Sequence, residues 1–214
     1  MAIPIFAHVC EASHLIPAVV GVARFKRLTN PMRILTILAG LAILQAIVAY
    51  LVARRLQTNI FLDDYFALIE FSMLFAVYYF SVTARNSRIL LVVFGVTYVV
   101  IWMARVPLSD GPISIGGNMA VIGRIILIIL SLVVAQETLK GETIQIFEQP
   151  VFWVIAGVIM YSAGTLMIFG FSDNLLRSGI VYFEMAWRIN WTLMIAANLF
   201  YTKALLCNPR EETS

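Results

Sequence analysis

The amino-acid sequence predicts an all-α polytopic membrane protein: one domain over residues 1–214, with seven transmembrane helices, the N-terminus outside and the C-terminus inside. Three observations carry that expectation. Of the 214 residues, 61% are hydrophobic and 13% are charged, against about 45–50% and about 25% in a soluble domain. The apolar excess recurs along the whole chain in stretches of roughly 20 residues, the length that crosses about 30 Å of hydrocarbon. Short segments rich in Pro, Gly, Arg, Lys and polar residues separate the stretches.

The spans predicted in order are 3–22, 33–53, 61–82, 88–106, 118–138, 150–171 and 179–204. The first ends at "ARFKRLTNPMR", which carries four cations and a proline. It is the least apolar of the set, because His8, Glu11 and His14 interrupt it; six spans are the alternative at this point. The second and third spans stop at the short polar segments "ARRLQTN" and "TARNS". The fourth runs into "PLSDGPISIGGN", whose prolines and glycines disfavour a helix. "KGETIQIFEQP" and "SDNLLRS" bound the sixth. The N-terminal stretch lacks a basic leader, so no cleavable signal peptide is expected. Cys10 and Cys207 lie at opposite ends with no CxxC pair, which points away from a disulfide framework.

Direction follows from the cations. With the N-terminus outside, Arg24, Lys26, Arg27, Arg33, Arg85, Arg88, Lys140, Lys203 and Arg210 fall at inner ends, and Arg54, Arg55, Arg105 and Arg177 at outer ends. The net charge of +3 is therefore a matter of topology, and no nucleic-acid partner is expected.

Placed by depth, the ionisable groups within the spans concentrate in one leaflet. His8, Glu11 and His14 lie in the outer and middle parts of the first span. Asp63 and Asp64 begin the third, and Glu70 lies near its middle. Arg124 stands about two turns into the fifth, and Glu184 and Arg188 in the outer half of the seventh. A charge facing lipid at mid-membrane costs at least ~2.5 kcal/mol, so these groups are expected to turn inward around an outward-facing polar pocket. On the seventh span the stripe Glu184, Arg188, Trp191, Ile195, Asn198 and Thr202 shares one face. Glu184 and Arg188 are an i,i+4 pair in the favourable order, and substituting one alone is expected to harm more than removing both. The expected ligand-binding set is Glu70, Arg124, Tyr161, Glu184, Arg188 and Asn198. On the sixth span Gly157 and Gly164 are seven apart, a spacing that favours close helix contact.

"IPAVVGVARFKRL", "NIFLDDYFALIEFSMLFAVYYF" and "FWVIAGVIMYSAGTLMIF" resemble the first, third and sixth spans of seven-span membrane regions of Bacteroidota. Some of those regions stand alone, and others precede a cytoplasmic histidine kinase as sensor-like modules. The matching residues are Glu70, Tyr78, Tyr79, Phe152, Trp153, Tyr161, Ser162 and Gly164. The resemblance implies a sensor-like or partner-coupled module in a bacterial cytoplasmic membrane. No kinase is present in this chain, so a separate cytoplasmic signalling partner or a homo-oligomer is expected to carry output.

Two other functions compete. His8, Glu11, His14, Asp63 and Asp64 are N/O groups suited to zinc, which would fit a membrane-embedded metal-dependent hydrolase. A small transporter acting as an oligomer is the third reading, opposed by polar groups confined to one leaflet and by the lack of an internal repeat. A retinal photoreceptor needs a lysine in the middle of the last span, and Lys203 lies at its inner end.

Overall fold

The structure, a computed structural model, describes residues 5–56, 60–105, 118–140, 143–170 and 180–207. Within them the chain is all helical: α1 Ile5–Ser13, α2 Leu15–Arg24, α3 Asn30–Leu56, α4 Ile60–Ser81, α5 Arg85–Arg105, α6 Asn118–Thr138, α7 Pro150–Gly170 and α8 Ile180–Leu206, with short 3-10 turns at Phe25–Arg27 and Thr143–Glu148. Five stretches are long and apolar enough to cross a membrane, the pattern of an integral membrane protein: Phe6–Arg27, Asn30–Val52, Arg85–Arg105, Val121–Thr138 and Pro150–Ile168. In α4 the apolar stretch described is shorter, Tyr65–Ser81. α8 has 27 residues, about 40 Å at 1.5 Å per residue, but Asn190, Asn198 and Lys203 lower its mean hydropathy.

The first apolar stretch is broken. α1 stops at Ser13 and α2 resumes at Leu15. The cause is Pro17, four residues after Ser13: it has no N–H to give the Ser13 carbonyl, and its ring crowds that carbonyl. The Ser13 hydroxyl donates to the Cys10 carbonyl at 2.6 Å and accepts from Asn198 Nδ2 at 2.7 Å, tying the break to α8. α5 begins three residues before the predicted fourth span. Arg88 donates through Nε to the Val82 carbonyl at 2.8 Å, which caps the end of α4 and tightens the turn.

The bundle core is mostly aliphatic, with the rings of Phe71, Tyr78, Tyr98 and Trp102 buried in it. α7 and α8 pack most extensively. A Cβ at Gly157 would stand 2.8 Å from Tyr201 Cε1, and one at Gly164 would overlap the Leu193 side chain. Both glycines thus let the two helices approach. The outward surface is apolar as well, with Val22, Val96, Val100, Met103 and Met167 all exposed, as lipid contact demands and aqueous contact disfavours.

Candidate functional site

Helices α3 to α8, with His14 at the break before α2, line an open cavity of about 260 Å³. His14 reaches it from the start of α2, Gln45 from α3, Phe66, Glu70 and Phe71 from α4, Tyr98 from α5, Arg124 from α6, Tyr161 from α7, and Trp187, Asn190, Trp191, Asn198 and Tyr201 from α8. Short connections make successive helices antiparallel, so residues from the first half of α4 and α6 and the second half of α5 share one end of the bundle. The cavity lies toward the end where α4 and α6 begin.

One ion pair dominates its wall. Arg124 Nη1 donates to Glu70 Oε1 at 2.9 Å and Nη2 to Oε2 at 2.8 Å. The side chains are 12% and 16% exposed respectively. This planar fork is the strongest geometry available to an arginine and a carboxylate. The guanidinium carbon also lies 4.5 Å from the Tyr161 ring centroid, so a cation–π contact adds to the pair. Two turns further along the same helices, Tyr78 OH and Ser131 Oγ meet at 2.7 Å in the core. Glu70–Arg124 and Tyr78–Ser131 therefore clamp α4 to α6 at two depths. On α8, Asn190 is buried with its Oδ1 3.1 Å from Thr165 Oγ1 of α7.

Four of the six predicted ligand-binding residues come together: Glu70, Arg124, Tyr161 and Asn198. Glu184 and Arg188 do not. Both are exposed, neither lines the cavity, and no ion pair joins them among the described residues. The reason is helical phase. The inward stripe of α8 runs through Trp187, Asn190, Met194, Ala197 and Tyr201, and Arg188 stands one residue, about 100°, beyond Trp187. The predicted stripe is one residue out of register, and only Trp191 and Asn198 fall within both. With their helix beginning at Ile180, Glu184 and Arg188 also sit within its first two to three turns, where long side chains reach the membrane interface.

Of the predicted metal set, the described members His8, Glu11 and His14 do not all come together. His8 and Glu11 pair with each other on the surface, at 3.7 Å and each 54% exposed, while His14 turns into the cavity. Asp63 and Asp64 have side chains outside the described residues. Among the described residues no three His, Cys, Asp or Glu side chains form a group that would hold a metal ion. The residues that sequence reading passes over are mostly aromatic: Tyr98 and Trp187 are absent from the expected ligand-binding set, and both line the cavity. Asn190 carries a usable signal, being an amide within an apolar span, one helical turn from Trp187.

No protein-family model, curated protein or solved structure matches this chain.

Proposed function

We propose that this protein is a seven-span, sensor-like module of a bacterial cytoplasmic membrane, which binds a small ligand in a pocket opening to the exterior and passes the signal to a separate partner or across a homo-oligomer. The observation that carries this reading is the 260 Å³ cavity with a charged fork in its wall. Intramembrane ionisable groups are expensive and tend to mark function. Seven helical units among the described residues, counting α1 and α2 together, support the count of spans, and the cation distribution supports an outside N-terminus.

The opposite end of the bundle supports an output face. Lys26, Arg27, Arg85, Arg88, Lys140 and Lys203 are exposed there. Arg24 donates to the Leu205 carbonyl at the end of α8 at 2.9 Å, and Arg33 to the Phe25 carbonyl at 3.2 Å. These bonds join the end of α8, which lines the cavity, to the basic turn between α2 and α3. A shift of α8 on ligand binding is thereby coupled to the basic surface.

Thermal unfolding of the protein in maltoside micelles tests the reading. Small polar molecules in three charge classes (cationic, anionic and neutral) are added at saturating concentration. At 100 times its Kd a ligand adds about 2.7 kcal/mol of stability, which raises the midpoint by several degrees. At least one class is expected to do so in the wild type and to fail in Asn198→Leu. A flat response to all three classes overturns the ligand pocket.

A further inference from the structure

Resting on the reading of the cavity as a ligand site, we propose that its ligand is a compact organic ammonium ion. The argument starts from what the wall has left to offer. Each terminal nitrogen of Arg124 gives one of its two N–H groups to Glu70, and one face of the guanidinium is covered by Tyr161. An anion held by the remaining N–H groups of Arg124 would stand beside the Glu70 carboxylate, and one that drew Arg124 off Glu70 would strand a buried charge, the costly way to break such a pair. A cation breaks nothing. Two carboxylate oxygens offer about four lone-pair sites, of which Arg124 takes one on each oxygen. The rest of Glu70 is open to a second positive group.

The remaining lining suits the same charge. Phe66, Phe71, Tyr98, Trp191 and Tyr201 surround the cavity, contributed by three helices. Aromatic faces attract cations, trimethylammonium groups above all. The protein already uses this chemistry on itself, since Arg124 is held by one carboxylate and one phenol ring. A ligand ammonium would be bound by Glu70 and the facing rings in the same manner. Size selects a compact molecule: 260 Å³ lies just under the ~300–1,000 Å³ of pockets for drug-sized ligands.

Such a group can arrive free or on a lipid headgroup, and the experiment separates the two. Binding to purified protein in maltoside is measured for tetramethylammonium chloride and choline, with sodium chloride at matched ionic strength as the blank. The neutral choline isostere 3,3-dimethylbutanol and sodium acetate are the competing probes. Choline is expected to bind about tenfold more tightly than the isostere. Trp191→Leu is expected to weaken it about tenfold, while Trp191→Phe, which keeps a ring, retains most of it. A short-chain phosphocholine lipid competing better than free choline assigns the lipid-borne source and still supports the ammonium class. Equal binding of the isostere, or binding of acetate without choline, overturns the ammonium assignment and leaves a ligand pocket. Silence from every probe overturns both.

Discussion

At the scale of single residues, the Glu70–Arg124 fork sets the sharpest expectation. Removing one partner leaves a lone charge in the bundle and costs about 3–5 kcal/mol, whereas replacing both with apolar residues is far cheaper. Glu70→Leu and Arg124→Leu should therefore each lower the thermal midpoint in micelles by more than the double variant does. The same triplet at Glu184 and Arg188 should move it little, because both side chains are exposed and exposed pairs contribute about 0–1 kcal/mol. The core hydroxyl pair carries a subtler asymmetry. Ser131 donates to the Leu127 carbonyl at 2.7 Å, so Tyr78→Phe leaves no orphan and should cost about 0.5–1.5 kcal/mol. Ser131→Ala strands a buried phenol and should cost about 1–3 kcal/mol; equal midpoints for the two variants would contradict this. Glu70 and Arg124 were legible in the sequence because a charge deep in an apolar span has few places to go. That they choose each other was not, since their bond spans 54 residues and depth alone fits Glu184 equally well.

Between helices, glycines distinguish contact from mere composition. Gly157→Ala drives a methyl against Tyr201, a ring that lines the cavity, and its new Cβ also comes to 3.4 Å from the Ala197 carbonyl. Overpacking of this kind costs about 1–3 kcal/mol. It should also disturb any ligand response, because the displaced ring is part of the pocket. A methyl added at Gly40 would meet nothing within 4 Å, and Ala there gains helix propensity of up to about 1 kcal/mol. Parallel thermal unfolding of both alanine variants should give opposite signs. Most helices were legible from their apolar length and from the prolines and cations that end them. Two features escaped. Pro17 splits a first span whose sequence reads as one helix, although Ser13 and His14 already weaken its apolar run there, and the phase of α8 was misjudged because Trp191 and Asn198 lie on both candidate stripes. Where a helix is apolar nearly all round, the pattern of side chains does not say which face is inward; the partners do.

For the molecule as a whole, direction across the membrane is the property to test. Cys10 is buried against Met194, which leaves Cys207, just past α8, as the thiol to label. An impermeant maleimide should modify it in inverted vesicles and not in intact cells if the C-terminus is inside; the reverse pattern would invert the proposed topology. Burial pushes the Cys207 thiol above its ordinary range, with Lys203 and Arg24 pulling the other way. Because the thiolate is the reactive form, labelling should be slow at neutral pH and rise about tenfold per pH unit until the thiol is ionised. The class of the fold was readable from composition, since so much outward apolar surface suits lipid far better than water. The chamber itself was readable only as a tendency, since rings from distant helices form most of it and aromatic residues in a membrane protein have many other uses. One further consequence follows from the 54 residues between Glu70 and Arg124. Ribosomes add about 5–20 residues per second, so Glu70 is made roughly three to ten seconds before its counter-ion. During that interval the carboxylate has no counter-ion, so α4 is expected to settle into the bundle only once α6 has followed it.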